Sequence, residues 1–335
     1  MIYFDTTSAS SWHHSSGLMR VSSRLFSELG GLAVPATWPR IAELAGAGDW
    51  ILTPELFSEE ERPGFSAFLE GRSCRAAAIF HDAIPLKHPD ITWPRSVERH
   101  AGYMKLLAKF DRVWAISESS RRDLQGLWDW QGAAGRPPVD LLHLGSDWPG
   151  LGRQSCRPVA GLAPRIVSVG ILEPRKNQGV LLDAFEELLG GGTVAELHLV
   201  GRVNPQFGRP LEARVASLSR RWPGIRHHPK MDDAALAALI MSSRATAFPS
   251  IAEGCGLPLL ESLWMAVPCL CSAIAPLSEN AEGGGCRVVR DGDWAEAIRS
   301  ILTDGGGRDA LARAAASRRL PTWSEAAKAL ASGLG

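Results

Sequence analysis

Short apolar runs alternate with stretches of helical periodicity along nearly the whole chain, and this rhythm restricts the fold more than any other feature. Met1–Phe4, Trp50–Leu52, Ala76–Phe80 and Val113–Ile116 are runs fit for burial on both faces. That is the pattern of strands in a parallel sheet covered by crossover helices. Between them, Ser16–Leu29 and Pro94–Phe110 read as helices, and Glu118–Trp130 reads as a helix opened by serines and polar residues suited to capping. Residues 131–164 break the rhythm. Gln131–Pro138 is rich in Gly, Pro and Ala, Val139–Leu144 is a short strand, and Gly145–Pro164 has little periodicity. A domain boundary is expected near residue 155.

The rhythm then restarts. Arg165–Val169, Glu196–Val200, Ala245–Phe248 and Val267–Leu270 read as strands. Gly179–Leu189, Leu211–Arg221, Asp233–Ser242, Leu257–Ala266, Trp294–Leu302 and Arg308–Arg318 read as helices, and a last segment, Trp323–Leu330, starts after Pro321. The expected class is α/β, with two doubly wound, Rossmann-like domains spanning 1–155 and 156–320 and a terminal segment 321–335. In such a pair a ligand is expected in the cleft, at the carboxyl ends of the strands.

Charge excludes several functions. The chain of 335 residues carries 36 Lys and Arg against 36 Asp and Glu. The first 155 residues hold 16 basic and 18 acidic side chains, and the remainder 20 and 18. Neither half is a basic nucleic-acid platform. The longest uncharged run, Ser262–Ser278, is 17 residues with two prolines, too short and too broken to span a bilayer. Met1 leads straight into Ile2-Tyr3-Phe4 with no basic segment ahead of an apolar one, so no secretory signal is expected. The six cysteines include no C-x-x-C pair, so neither a disulfide scaffold nor a zinc site is expected. The expectation is a cytoplasmic protein with buried thiols and no metal.

The chemistry concentrates in Phe248-Pro-Ser-Ile-Ala-Glu-Gly-Cys-Gly-Leu-Pro-Leu-Leu-Glu261. A strand ends, a loop with Gly254 and Gly256 follows, and a helix starts with Pro258 near its first position, where a missing N–H costs nothing. Small residues let the backbone approach a ligand, and a helix N-terminus favours an anion. Glu261 can accept two hydrogen bonds from a diol such as a ribose. Glu253, on the loop lip, can accept from sugar hydroxyls. By spacing alone, two glutamates eight apart are also what any helical protein produces by chance.

This segment resembles the signature of glycosyltransferase family 4, retaining enzymes of the GT-B fold. The family shows Pro-Ser, then Glu-Gly-Phe-Gly-Leu-Pro, then a second Glu at this spacing. Cys255 stands here in place of Phe, and Ala266 where a Gly usually ends the helix. Val169-Gly-Ile-Leu-Glu-Pro-Arg-Lys-Asn177 resembles the family's glycine–basic loop. Arg175 offers a planar fork and Lys176 a point charge to a diphosphate. An Arg common after the glycine is Ile171 here, which leaves the clamp to Arg175 and Lys176. Without the family, the same residues fit a solvated basic turn. Leu199-Val-Gly-Arg202 and Met231-Asp-Asp233 also match, the family holding its nucleobase near the latter. Ala275-Pro-Leu-Ser-Glu279 resembles the next loop, and Thr322-Trp-Ser-Glu325 the terminal helix that returns to the first domain. The resemblance thus implies a donor site of Gly170, Arg175, Lys176, Gly201, Met231, Glu253, Gly254, Cys255, Gly256, Leu257 and Glu261.

In the first half, Phe80-His-Asp-Ala-Ile-Pro85 resembles the sugar-contacting segment of the subgroup that includes bacterial polysaccharide mannosyltransferases. That implies a role for His81 in orienting the transferred sugar, beside the reading of a hydrogen-bonded core histidine. Asp82 is read as holding the turn. Ser16-Gly17-Leu18-Met19-Arg20 opens the first helix, where Gly17 lets backbone N–H groups approach the donor phosphate or the acceptor; Arg20 and Arg24 fit this side or a solvated face. Ala115-Ile-Ser-Glu118 resembles a further family segment. Arg95, Arg99, Lys105, Lys109 and Arg112 share one arc of the 94–112 segment, which fits contact with anionic lipid or a lipid-diphosphate acceptor, or a plain solvated face. Trp12, Trp38 and Trp93 are candidate sugar-stacking platforms.

Some signals point elsewhere. Asp291-Gly-Asp293 has the Asp-x-Asp form of metal-dependent transferases, but it precedes a helix, and Asp293 is read as a cap. Gly190-Gly-Gly192 lacks a dinucleotide spacing, and His13-His14 and His227-His228 lack partnering carboxylates. The function expected is metal-independent transfer of a sugar, mannose-like, from a nucleoside-diphosphate donor to a saccharide or lipid-linked saccharide in bacterial surface polysaccharide synthesis. A GDP-sugar is the first choice of donor and a UDP-sugar the second. The protein is expected in the cytoplasm or peripherally on the inner membrane face. A catalytically silent nucleotide-sugar-binding protein and a sugar-nucleotide epimerase of the same architecture stand as alternatives. Donor, acceptor, linkage and oligomeric state are left open.

Overall fold

A computed structural model of the chain describes residues 1–8 and 17–335. Trp12, His13, His14 and Ser16 lie outside the described residues. The chain divides into one unit of Met1–Gly145 with Pro321–Gly335 and a second of Ser146–Leu320, so the division falls at Gly145 rather than near 155.

The first unit carries β1 (Ile2–Asp5), α1 (Gly17–Leu29), β2 (Ala33–Ala36), α2 (Arg40–Leu44), β3 (Trp50–Thr53), α3 (Phe65–Gly71), β4 (Arg75–Phe80), α4 (Ile84–Lys87), α5 (Pro94–Leu107), β5 (Arg112–Ala115), α6 (Glu118–Trp130) and β6 (Val139–Leu141). Its six strands run in the order β2-β1-β3-β4-β5-β6, all parallel, with Ile51 opposite Ala76 and Ala78 opposite Val113. From Ala76 to Phe80 every side chain is fully buried. Phe57, Phe65, Phe80, Tyr103 and Trp128 fill one face.

The second unit carries β7 (Ala163–Val169), α7 (Gly179–Gly190), β8 (Glu196–Val200), α8 (Arg209–Arg221), β9 (Ile225–His228), α9 (Asp233–Met241), β10 (Ser243–Phe248), α10 (Leu257–Trp264), β11 (Cys269–Ser272), α11 (Ala275–Ala281), β12 (Cys286–Val289), α12 (Trp294–Thr303) and α13 (Gly305–Ser317). Its parallel sheet has the order β12-β11-β10-β7-β8-β9. The strand order reverses between β7 and β10. The crevice at such a reversal, beyond the strand carboxyl ends, is where open α/β sheets bind ligands. The loops after β7 and β10 are the two sequence segments singled out above.

The differences from expectation have physical causes. Three strands, β2, β9 and β12, were not anticipated. All are sheet edges, so one side is half exposed and the apolar run is diluted, by Pro35 in β2 and by His227 and His228 in β9. α5 stops at Leu107, which puts Arg112 on β5 rather than on the helical arc. α13 starts three residues early, on three glycines, because the Asp304 side chain accepts from Gly307 N at 2.9 Å. Asp293 stands at the N-cap of α12, but its side chain makes no cap bond. Ala266, in the family's glycine position, adopts φ 54°, the left-handed conformation that favours glycine there.

The last helix, α14 (Trp323–Leu334), belongs to the first unit and packs on α1. A capping box of Thr322 and Glu325 starts it. Gly145 makes room for its first turn, since a Cβ there would lie 2.3 Å from Trp323 N. Gly145→Ala is therefore expected to destabilise the first unit by about 1–3 kcal/mol through overpacking, and Thr322→Ala by about 1 kcal/mol. Thermal or denaturant melts report both, and an unchanged Gly145→Ala melt would contradict this seating of α14.

Candidate donor site in the second unit

Pro174 opens one tight turn over Pro174–Lys176, and Asn177 closes it at φ 51°, a left-handed position that Asn tolerates better than most residues. The turn presents Arg175 and Lys176 side by side beyond β7. Its backbone is tied to the β10 loop by Ile251 N donating to Arg175 O at 2.9 Å.

The side chains then converge. Lys176 Nζ donates to Glu253 Oε1 at 2.5 Å, and Ser250 Oγ donates to the same oxygen at 2.6 Å. Arg175 Nη1 donates to Glu253 Oε2 at 3.3 Å and to Ala252 O at 3.1 Å. On its other edge, Arg175 donates from Nε (3.0 Å) and Nη2 (2.8 Å) to Glu173 Oε1. Asn204 Nδ2 donates to Glu173 Oε2 at 2.9 Å. Lys176 and Glu253 keep only 13% and 9% of their side chains exposed. Burial pushes the Glu253 carboxyl up, but the charges of Lys176 and Arg175 and the bonds from Lys176 and Ser250 outweigh it, so Glu253 ionises below its usual range. Burial lowers Lys176, which the Arg175 charge reinforces and Glu253 opposes.

Two glycines set the floor. Gly170 and Gly201 have φ 156° and 148°, and a Cβ on Gly201 would lie 2.2 Å from Gly170 O. Gly170 also stands against the Lys176 stem, and the Gly201 carbonyl accepts from His227 Nε2 at 2.7 Å. Beyond β10, Gly256 is the left-handed N-cap of α10, with no side chain capping the helix. A Cβ on Gly256 would meet Leu277 at 2.5 Å. Leu259 and Leu260 amides return to Gly256 O and Pro258 has none, so the helix end presents at most two amides, of Gly256 and Leu257. Gly254, Cys255 and Leu257 are buried. Asn280 Nδ2 holds the Cys255 carbonyl at 2.6 Å, and burial pushes the Cys255 thiol up to about 12, which keeps it neutral. Glu261, 5% exposed, lies about one turn inside α10. Met231 is half-buried between β9 and α9, and the next residue, Asp232, caps α9.

The first-unit candidates lie in the turn after β4 and on the first turn of α1. His81 is buried, with Nε2 2.8 Å from Pro54 O, and burial lowers its pKa. Asp82 Oδ1 accepts from Ile84 N at 2.9 Å and so ties the turn. Gly17 is exposed at the start of α1, and Arg20 is half-buried one turn on. Trp38 packs edge-on against Phe65 and Phe68, as a core residue does. Trp93, just before α5, is 44% exposed. The basic arc is largely matched by acids: Arg95 meets Glu60 at 3.1 Å, Arg99 Glu61 at 2.6 Å, Lys109 Glu70 at 2.6 Å and Arg112 Asp140 at 2.6 Å. Among the described residues no His, Cys, Asp or Glu cluster could hold a metal, and no helix is long and apolar enough to cross a membrane. Cys74, Cys255, Cys269 and Cys271 are buried free thiols, whereas Cys156 and Cys286 are half-exposed.

Sequence reasoning passed over several residues. Ser250 was visible in the Pro-Ser of the motif. Glu173 stood within the basic loop without a role, and Asn204 carried no signal. In the first unit, Asp5 and Arg62 form a buried pair at 2.6 Å. Glu55 beside them is 2% exposed, and burial raises its pKa to about 7.

Residues 163–304 match the family model described as Glycosyl transferases group 1. That segment of the second unit is thus similar to the group 1 glycosyl transferases, and the pair of parallel sheets has the GT-B architecture. The chain is 30% identical over 239 residues to the serotype-specific mannosyltransferase WbdA of Escherichia coli, an alignment covering 63% of this chain and 28% of that one. It thus spans under a third of that relative. It is 27% identical over 277 residues to the O-antigen chain mannosyltransferase B of Escherichia coli, covering 78% and 70%. A crystal structure of Anabaena Alr3699/HepE in complex with UDP shares the fold, with a TM-score of 0.70 at 14% identity over 99% of this chain and 98% of that one.

The candidate site is an ion cluster under tension between burial and pairing. Removing one partner of a buried pair strands the other's charge. Glu253→Gln should cost about 3–5 kcal/mol on that basis. Lys176→Met should cost less, because Glu253 retains Arg175 and Ser250. Because the folded Glu253 pKa is depressed, its contribution is present above the unfolded value of about 4.5 and is lost as pH falls through the lower folded value. Melts of both variants from pH 3 to 8 test the order. A Lys176→Met variant less stable than Glu253→Gln would overturn it.

Proposed function

We propose that the protein is a retaining, metal-independent glycosyltransferase that moves a sugar, mannose-like, from a nucleoside diphosphate to a saccharide or lipid-linked saccharide in bacterial surface polysaccharide synthesis. The observation that carries this reading is the Lys176–Glu253–Arg175 cluster at the strand reversal of the second unit, beside an uncapped helix end. A GDP-sugar is the first choice of donor, after the named mannosyltransferases, and a UDP-sugar the second.

Binding works as an exchange of ion partners. The diphosphate brings several anionic oxygens to Lys176, which leaves Glu253 for them, and the end of α10 at Gly256 and Leu257 takes part of the charge. Glu253 is then released to accept from hydroxyls of the sugar. Glu261 accepts from the ribose, and the loop at Met231 and Gly201 borders the base. As the anomeric bond loosens, negative charge grows on the departing diphosphate, where Lys176 and the helix end stabilise it. The acceptor hydroxyl attacks from the same face and passes its proton to the departing phosphate. His81 orients the sugar while Asp82 holds its loop, and Gly17 and Arg20 belong to the acceptor side. Positioning supplies much of the rate.

A thermal-shift screen of nucleoside-diphosphate sugars should show stabilisation by GDP- or UDP-sugars through mass action. Glu253→Ala and Lys176→Ala should each lower single-turnover transfer at least about tenfold, or about 1.4 kcal/mol. No stabilisation by any sugar nucleotide, or unchanged turnover in both variants, would refute the reading.

A further inference from the structure

Arg175 and Lys176 are neighbours in sequence, yet their surroundings differ. Lys176 Nζ has a single hydrogen-bond partner among the described residues, Glu253 Oε1. Arg175 is engaged on both edges. Its Nε and Nη2 hold Glu173, and its Nη1 spans the Ala252 carbonyl and Glu253. Glu173 is itself fixed from behind. It is 8% exposed, and Asn204, 2% exposed, donates to its second oxygen. Asn204 is anchored in turn, because its Oδ1 accepts from Gln206 N at 3.0 Å and Phe207 N at 3.2 Å, and its own amide donates to Leu172 O at 3.0 Å. The chain of contacts runs from the loop after β8, through the loop after β7, to the loop after β10.

A guanidinium that closes two N–H groups on one oxygen of Glu173 and reaches Glu253 with a third is a geometric strut, since its rigid plane fixes direction as well as distance. A lysine on one carboxylate is a point charge that can swing to another anion. We infer that Glu173, backed by Asn204, is a positioning residue that commits Arg175 to holding Glu253 and the β10 loop in place, and leaves Lys176 as the cation that transfers to the donor diphosphate. This refines the role expected of Arg175 and rests on the proposed function. Arg175 keeps Glu253 ionised and aimed while Lys176 is away, so that Glu253 can receive the sugar. The pairing also balances charge locally: Glu173 offsets Arg175, and the net attraction for a diphosphate comes from releasing Lys176.

The two roles separate by comparing a bare diphosphate with its sugar. Calorimetry would measure the full chain binding GDP, UDP, GDP-mannose and UDP-glucose, in wild type, Glu173→Gln, Glu173→Asp and Asn204→Ala. Glu173→Gln should leave nucleoside-diphosphate affinity within about threefold and weaken the matching sugar nucleotide about tenfold, a change of about 1.4 kcal/mol. Glu173→Asp should recover most of that loss, and Asn204→Ala should show the same selective loss in smaller degree. Asn204→Ala carries the test should Glu173→Gln fail to fold. Equal weakening of diphosphate and sugar nucleotide would make Arg175 a phosphate ligand and overturn the inference, as would no change in either. A wild type that binds none of the four probes would refute the proposed function itself, and the inference with it.

Discussion

The second unit is organised around one buried carboxylate, Glu253, shared by two cations and a hydroxyl. An ionised carboxyl at that burial survives only when paired. Lys176, Arg175 and Ser250 supply the pairing from two loops that leave the sheet on either side of its strand reversal. The local details serve that convergence. Asn177 turns the basic loop back, Gly170 and Gly201 let two loop backbones touch, and Gly256 starts α10 where a Cβ would strike Leu277. The same requirement explains why the site is balanced rather than basic. A cluster of two acids and two bases is internally paired, so on the proposed reading an anion enters by trading partners rather than by filling an empty cationic pocket.

Much of the fold was legible in the sequence because parallel strands buried on both faces are continuous apolar runs. Ala76–Phe80 and Leu197–Val200 could hardly be read otherwise. The edges were not legible, since β2, β9 and β12 mix exposed and polar residues into short runs. Helix ends were displaced where a side-chain cap or a left-handed residue decided them, as at Asp304 and Ala266. The division at Gly145 was hidden for another reason. Residues 146–162 look like linker by composition, but they belong to the second unit, where Trp148 donates to Asp233 O and Arg153 to carbonyls of α10 and α13.

The site was legible in its parts and not in its wiring. Glu253, Arg175 and Lys176 follow from two motifs 77 positions apart, but periodicity does not say which atoms meet. Reading Arg175 and Lys176 as equal members of a clamp overlooked Glu173, whose carboxylate distinguishes them. In the first unit a single carboxyl, Glu55, is buried beside the Asp5–Arg62 pair with no pattern around it to flag it. The basic arc of 94–112 was read either as a lipid-facing stripe or as a plain solvated face. Three of its cations pair with acids, Arg95 and Arg99 on α5 with Glu60 and Glu61, and Lys109 just beyond the helix with Glu70.

On the proposed reading, donor binding exchanges the Lys176–Glu253 pair. A crystal structure of the protein with GDP or UDP bound decides this. Lys176 Nζ is expected at about 3 Å from a phosphate oxygen, with Glu253 still held by Arg175 and Ser250. A diphosphate bound elsewhere, with Lys176 unmoved on Glu253, would contradict it.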